Sequence, residues 1–368
     1  MTRRHFGAAA LLVVLACHAT LPPADETRSP GRAMGCDADA CPDSNVVIKV
    51  TYLGVSGLLL EHGGHVLLTA PFFSNPRLGL VRPKASRLFR KSPRISADSI
   101  MIDRFLPAVA DRASAILVGH GHYDHLLDVP YIATHRATSA FIYGGPSIRR
   151  MLMGDSILRR YDGRRLVPIE PATAGTAARR GIWIYTADSA YRFMALVAGH
   201  APMLHFLGGS YSFAAGTVTT DMDSLPPTAP DWKLGEPYAY LIDVLGSGPE
   251  RSVFRIYFQD APSPPPLGFP PLDILSEGRV DLAVLCAATS SNVPHTPDSL
   301  LKVLRPAHVL VTHWESFFRS PALPPEVVPG LHFGSFLDII RKTLDPSVPW
   351  TVAQPHETFR FPESGAPK

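Results

Sequence analysis

The segment AILVGHGHYDHLLDVP, residues 115–130, carries the densest chemistry in the chain. Residues 115–118 form an apolar run typical of a short buried strand, which ends at Gly119. Within the next six residues come three histidines and one aspartate: His120, His122, Asp124 and His125. Apolar residues return at Leu126, so these side chains lie on a strand-to-helix loop, where a rigid scaffold can present them. The pattern predicts a metal site, with an exposed polar loop as the alternative.

The composition fits a globular chain with a large core. The protein has 368 residues, of which 46% are hydrophobic, and a formal net charge of +3. Length alone indicates roughly two domains, although one domain with long loops also accounts for it. The positive charge is too small to predict nucleic-acid binding. After the N-terminal region, no apolar run reaches the roughly 18 residues of a membrane span.

Residues 1–17 have the pattern of an export signal. Two arginines in residues 2–6 precede an apolar run over residues 8–16, which ends at Cys17. The start is similar to a twin-arginine signal, and VVLAC, residues 13–17, resembles a lipobox in which Cys17 becomes lipidated. We therefore expect an exported protein on the periplasmic side of a bacterial-type envelope, anchored to the membrane through Cys17. An ordinary cleaved signal and a soluble exported protein are the alternative.

The segment that follows, residues 18–44, is polar and proline-containing and is predicted to be a flexible tether. Cys36 and Cys41 lie within it and could pair in an oxidising compartment. Cys286 lies in an apolar run, which indicates a buried strand residue. None of the cysteines has metal-ligand spacing.

Alternating or apolar runs predict many short strands along the chain. They lie at residues 46–51, 56–61, 65–69, 140–143, 166–169, 182–186, 192–198, 238–244, 252–258, 280–287, 308–312 and 350–353. Helices are expected at residues 128–136, 148–153 and 297–304, the last capped by Thr296. Three of the strands are followed directly by a further metal-ligand type: His200, Asp260 and His313. A carboxylate such as Asp260 is costly to bury without a partner.

The His-x-His-x-Asp-His motif after a strand resembles the signature of the metallo-β-lactamase-fold superfamily. The resemblance implies an α/β fold, a four-layer αββα sandwich in a single domain over residues 45–360, with a tail at 361–368. It implies two metal sites, which share Asp260 as a bridge. The ligands would be His120, His122 and His200 for one metal and Asp124, His125 and His313 for the other. Two divalent ions are the implied cofactors, Zn²⁺ foremost, with Mn²⁺ or Fe²⁺ as alternatives.

The opening strands narrow this resemblance to one branch. The sequences TYLGVSGLLLE, residues 51–61, and LLTAPFFS, residues 67–74, are similar to those of N-acyl-phosphatidylethanolamine phospholipase D and the L-ascorbate-6-phosphate lactonases. In that branch the second segment normally ends in Asp-Pro, and the aspartate supports the metal loop. This chain has Ala70 there, followed by Pro71.

Substrate contacts are expected from a basic loop and from aromatic residues. Residues 77–94 carry seven Arg and Lys, no acid, and interleaved apolar residues, and by resemblance this loop overhangs the site. We expect Arg82 and Arg87, with Tyr123 and Trp314, to contact an anionic small-molecule or lipid-like substrate. The alternative is a solvated loop with incidental charge.

The expected reaction is hydrolysis by a metal-bound hydroxide. Binding to a divalent metal lowers the pKa of water from about 15.7 to about 7, and Asp124 would orient this water. Candidates for the acid that serves the leaving group are His205, His295 and Tyr123, although His295 also fits an ordinary loop histidine. The leading hypothesis is a phosphodiesterase. Alternatives are a lactonase or carboxylic esterase of the same fold, and a non-catalytic metal-binding or scaffold protein. No nucleic-acid partner is expected, because the basic residues are confined to one loop.

Overall fold

The computed structural model describes residues 21–23, 25–30, 34–35, 47–81, 92–160, 163–206, 209–211, 214–246 and 251–363. The strands are β1 Val47–Gly54, β2 Gly57–His62, β3 His65–Thr69, β4 Ala113–Leu117, β5 Phe141–Gly144, β6 Leu166–Pro168, β7 Ile184–Tyr185, β8 Tyr191–Val197, β9 Leu204–Phe206, β10 Gly209–Tyr211, β11 Tyr238–Leu245, β12 Ser252–Phe258, β13 Leu282–Cys286, β14 His308–Thr312, β15 Trp350–Val352 and β16 Thr358–Pro362.

The helices are α1 Ser99–Phe105, α2 Tyr123–Leu126, α3 Val129–Tyr131, α4 Pro146–Leu152, α5 Ser156–Arg160, α6 Leu272–Glu277, α7 Asp298–Leu304 and α8 Phe333–Thr343. A single π-helical turn, Ile132–Arg136, continues α3, and short 3₁₀ turns connect other elements. In the part of the chain that the structure describes, no helix is both long and apolar enough to span a membrane.

Two seven-stranded mixed sheets pack face to face and form the centre of the fold. The first has the order β16-β1-β2-β3-β4-β5-β6, and the second has the order β15-β14-β13-β12-β11-β8-β7. The core between the sheets contains Tyr52 and Leu58 from the first sheet and Phe193 and Tyr240 from the second. Further cores lie between each sheet and its helices. The predicted αββα sandwich is therefore confirmed.

The direction of the strands decides where the loops meet. In the second sheet, β8 and β12 are both antiparallel to β11 and so run the same way, and β12, β13 and β14 are parallel. The residues that follow β8, β12 and β14 therefore emerge at one end of this sheet. The loop after β4 of the first sheet joins them there, as the contacts described below show.

Part of the N-terminal segment is docked on the domain. Residues 25–30 lie along β15, where the Ser29 N–H donates to Trp350 O and the Val352 N–H donates to Thr27 O, both at 2.9 Å. Thr27 and Ser29 are buried there. Within the predicted tether 18–44, this stretch thus extends the edge of the second sheet. Cys17, Cys36 and Cys41 lie outside the described residues.

Some local predictions differ from the structure. The expected helix at residues 128–136 is a short helix that continues into the π-helical turn. Helix α7 begins after Pro297 and has no side-chain cap, so the cap predicted at Thr296 is wrong. Helices α1, α2, α5, α6 and α8 and strands β9, β10 and β16 were missed. Strand β16 pairs with β1, and its position depends on that long-range pairing.

Asp128 fastens the segment after β3 to the helix that follows the metal loop. Its side chain is fully buried and accepts hydrogen bonds from the backbone N–H groups of Phe73 and Ser74, at 2.6 and 2.9 Å, and from the Ser74 hydroxyl. Burial raises the pKa of Asp128 to about 6, although these three donors favour the ionised form. Ala70 carries no carboxylate, so the carboxylate that contacts the segment after β3 is that of Asp128.

We expect a pH dependence of stability from this carboxyl group. Because its folded pKa is raised above the ordinary 3.8, its contribution to stability is fully present below about pH 3.8 and is lost as the pH rises through about 6. The difference in unfolding free energy between wild type and Asp128→Asn should fall by roughly 3 kcal/mol over this range. Urea denaturation of the metal-free proteins at several pH values measures it. The exposed control Asp223→Asn should show no such change, and an equally flat difference for Asp128→Asn would refute the assignment.

Candidate metal centre

Seven donor side chains converge at the end of the two sheets. Their ligand atoms fall into three groups, and within each group these atoms lie within 4.8 Å of one another. The groups are His120, His122 and His200; Asp124, His125 and His313; and His120, His125 and Asp260. The structure thus brings together all seven predicted ligands, with Asp260 between the two predicted sets.

The buried lone pairs of this cluster fit metal ions. Several buried side-chain atoms have no hydrogen-bond partner among the described residues: His120 Nε2, both ring nitrogens of His122, Asp124 Oδ1, His125 Nδ1 and His313 Nδ1. Buried polar groups are nearly always paired, so this concentration requires an explanation. Divalent cations supply one, since imidazole and carboxylate groups without thiolate suit Zn²⁺, Mn²⁺ or Fe²⁺.

The surroundings of His122, His125 and His200 favour the neutral imidazole, which is the form that binds metal. Burial and, after it, the neighbouring His120 lower the pKa of His200 to about 4. Burial also lowers the pKa of His122 and His125, and the nearby histidines act in the same direction. The His200 Nδ1–H donates to Ala201 O at 2.6 Å, which leaves Nε2 as the free nitrogen.

Asp260 joins the two sheets at the metal loop. Its carboxylate accepts from the Gly119 N–H at 3.0 Å and from His120 Nδ1 at 3.0 Å. A Cβ on residue 119 would lie 2.3 Å from Asp260 Oδ1 and 2.4 Å from Oδ2, so only glycine permits this approach. The glycine two residues after β4 is therefore part of the site.

His313 is held by a second layer of hydrogen bonds. Its backbone has the unusual φ of +52°, which costs energy in a non-glycine residue. Its N–H donates to the Tyr52 hydroxyl at 2.9 Å, and that hydroxyl donates to the Glu315 carboxylate at 2.6 Å. Glu315 also accepts from the Val55 N–H at 2.6 Å. These buried groups fix the strained backbone that presents the imidazole.

Aromatic rings line one side of the cluster. The Phe317 ring lies 5.2 Å from the His313 ring and 6.3 Å from the Tyr123 ring, and Phe72 packs edge-on against Tyr123. The Tyr123 hydroxyl is buried and has no hydrogen-bond partner in the described part of the chain. Burial raises its pKa well above the ordinary value, so it keeps its proton at neutral pH. It is available as a donor.

The other predicted site residues have different outcomes. The prediction that Trp314 contacts substrate is wrong: its side chain is fully buried in the core beneath the second sheet, and its Nε1–H donates to Ala353 O. His295 is exposed in a turn before α7 and makes no described contact with the seven donors. His205 lies in β9, but its side chain is not described, and Arg82 and Arg87 lie outside the described residues. These three remain predictions.

Sequence reasoning missed the supporting residues. Tyr52 and Glu315 are 263 positions apart, and no local pattern connects them. Lys233 was also missed. Burial lowers the pKa of His122 most, His200 and His120 lower it further, and the positive charge of Lys233 adds a smaller effect in the same direction.

The chain is similar in structure to several solved proteins, while no protein-family model and no curated protein matches its sequence. The metallo-β-lactamase fold protein YhfI of Bacillus subtilis has 13% identity and a TM-score of 0.43, with 85% of this chain and 99% of that chain covered. Igni18, a metallo hydrolase of Ignicoccus hospitalis, has 15% identity and a TM-score of 0.43, with coverages of 86% and 98%. CmlA, a diiron β-hydroxylase of Streptomyces venezuelae, has 14% identity and a TM-score of 0.47, with coverages of 86% and 54%. At such low identities the likeness concerns the fold alone.

Replacing Gly119 by alanine should disrupt the cluster. The added Cβ would collide with the Asp260 carboxylate, and we expect metal affinity to fall at least about tenfold. Chelator competition followed by metal analysis measures this loss. Gly79→Ala is the matched control, since a Cβ there meets nothing within 4 Å. Equal metal affinity in both variants would show that the approach of Asp260 is not needed.

Tyr52→Phe should also weaken metal binding. The substitution removes the acceptor for the His313 N–H and one donor to Glu315, so the φ of residue 313 is less firmly fixed. We expect a loss of metal affinity of about 10- to 100-fold. Tyr191→Phe, which removes another buried hydroxyl bonded to Leu60 O and His65 O, is the control and should leave metal affinity unchanged. Similar losses in the two variants would indicate general destabilisation instead.

Proposed function

We propose that the protein is a metal-dependent hydrolase that holds two divalent cations and cleaves a phosphodiester. The observation that carries the proposal is the arrangement of two sets of three donors around Asp260, with buried lone pairs on both sides. A structural metal site is closed, whereas these open donor sets leave room for a substrate.

His120, His122 and His200 would hold one cation, and Asp124, His125 and His313 the other, with Asp260 between them. When bound, the two cations would supply an acidified water and positive charge for the developing oxyanion. We propose Zn²⁺, and Mn²⁺ or Fe²⁺ also fit the donor set. The side chains of the protein would orient the water and donate hydrogen bonds to the substrate.

Asp124 has one carboxylate oxygen directed toward His125 and His313, at 3.5 and 3.6 Å, and its Oδ1 has no described partner. This oxygen can accept a proton from the attacking water and so orient it. The Tyr123 O–H lies on the same turn and can donate a hydrogen bond to the substrate. The rings of Phe72 and Phe317 shield this side of the site from water, which strengthens both hydrogen bonds.

An anionic substrate is supported by charge. Lys233 places an ammonium group near His122, and the two cations would add further positive charge. Two sequence features also support an anionic substrate. They are the basic loop predicted to overhang the site and the similarity of the opening strands to a phospholipase D branch. Together they favour a phosphodiester, including one of a lipid-like molecule, over a neutral lactone or carboxylic ester. Action outside the cytoplasm, from a membrane anchored by Cys17, is part of the same proposal.

The test compares three substrates on the metal-loaded protein: bis(p-nitrophenyl) phosphate, a simple lactone and a p-nitrophenyl carboxylic ester. We expect turnover of the phosphodiester, reduced by at least about 100-fold in Asp124→Ala. The exposed control Asp338→Ala should retain full activity, and metal content is measured for each variant.

Each result has a distinct meaning for the proposal. Hydrolysis of the lactone or ester alone would replace the phosphodiester by the second candidate reaction. No turnover of any substrate by a protein with two bound metal ions would favour a non-catalytic metal-binding protein.

A further inference from the structure

A second cavity, of about 570 Å³, lies at the other end of the second sheet. Arg192 lies near the start of β8, whereas His200 follows the end of that strand. Arg255 lies in β12, and Asp281 precedes β13. The cavity is therefore separated from the metal centre by the length of the strands. Its charged lining residues are Arg192, Arg251, Arg255, Arg279, Glu277 and Asp281.

Two guanidinium groups share one carboxylate at the base of this cavity. Asp243 is fully buried and accepts from Arg192 Nε at 3.0 Å, and its carboxylate lies 2.9 Å from Arg192 Nη2. Arg255 donates to the same carboxylate through Nε at 2.6 Å and Nη2 at 3.0 Å. Asp243 and Arg255 are buried and Arg192 is partly buried. The trio carries one positive charge in excess, which is costly to remove from water without a further partner.

The two arginines are held rigidly, and Arg192 also donates from Nη1 to the Tyr185 hydroxyl at 3.5 Å. Arg255 Nη1 donates to Ile274 O and Gly278 O, so four of its five N–H groups have described acceptors. The Trp183 ring lies 4.4 Å from the Arg192 guanidinium carbon and covers one face of that group. Groups fixed in this way lose little entropy when a ligand binds.

The rim does not neutralise the excess charge. Arg279 pairs with Asp281 at 3.2 Å, and Arg180 pairs with Glu277 from outside the cavity. Arg251 is exposed at the rim. Among the residues that the structure describes, four guanidinium groups thus face three carboxylates, Asp243, Glu277 and Asp281, around a concave polar surface.

We propose that this cavity binds a phosphate group, on free inorganic phosphate or on an anionic lipid headgroup. The planar fork of arginine matches the oxygens of phosphate, and charge-assisted bonds of this kind are strong. Arg192 and Arg255 form the base of the site, and Arg251 and Arg279 line its rim. The site is separate from the metal centre and does not take part in the hydrolysis.

The test titrates the metal-loaded full-length protein with inorganic phosphate by calorimetry. The double variant Arg251→Gln/Arg279→Gln removes two rim charges and leaves the trio at the base intact. The control Arg112→Gln/Arg164→Gln removes the same charge from exposed positions elsewhere. We expect phosphate to bind the rim variant at least about tenfold more weakly than wild type or control, with hydrolytic turnover unchanged in both.

A second measurement, co-sedimentation with phosphatidylglycerol or phosphatidylcholine vesicles, distinguishes the two sources of phosphate. Loss of phosphatidylglycerol binding in the rim variant, without any calorimetric phosphate binding by wild type, assigns the site to a lipid headgroup. The proposal is overturned if wild type binds neither probe, or if binding is the same in the rim variant and the control. Phosphate bound only at the metal centre would give the latter result.

Discussion

The contact between Asp260 and Gly119 is the interaction on which the rest of the site depends. It brings the end of β12 in the second sheet against the end of β4 in the first, at a distance that excludes any side chain at residue 119. Because the same carboxylate also holds His120, the packing of the two sheets and the orientation of a ligand side chain are set together. A shift of about one ångström between the sheets would therefore displace the metal-binding side chains directly.

Around this contact the fold has unfavourable features that bound metal ions would offset. Neutral imidazoles lie buried with unpaired nitrogens, and His313 occupies a strained backbone region fixed by Tyr52 and Glu315. Buried unpaired donors and strained dihedrals each cost about 1–3 kcal/mol. Metal binding would therefore contribute to folding as well as to chemistry, since the ions repay costs that the chain bears without them.

The second sheet has different charge at its two ends. Where β8, β12 and β14 end, the side chains carry lone pairs that suit cations. Near the starts of β8 and β13, arginines outnumber carboxylates among the described residues that line the cavity. Both ends use residues on rigid strands or directly after them, so the geometry of each is set by the hydrogen bonds of the sheet. The opposite charges follow from which residues the sequence places at each strand end.

The sequence by itself determined most strands of the two sheets, the loop of donors after β4 and the ligand types that follow three later strands, because alternation and strand ends are local patterns. The assignment of those residues to one site came from a family resemblance. Only the tertiary structure decided that Tyr52 and Glu315, 263 residues apart, support His313, that Asp243 lies between two arginines, and that Trp314 faces the core. A strand residue can face either side of its sheet, and partners distant in sequence meet only through the packing of the layers. That packing is a property of the whole chain, which no local pattern records.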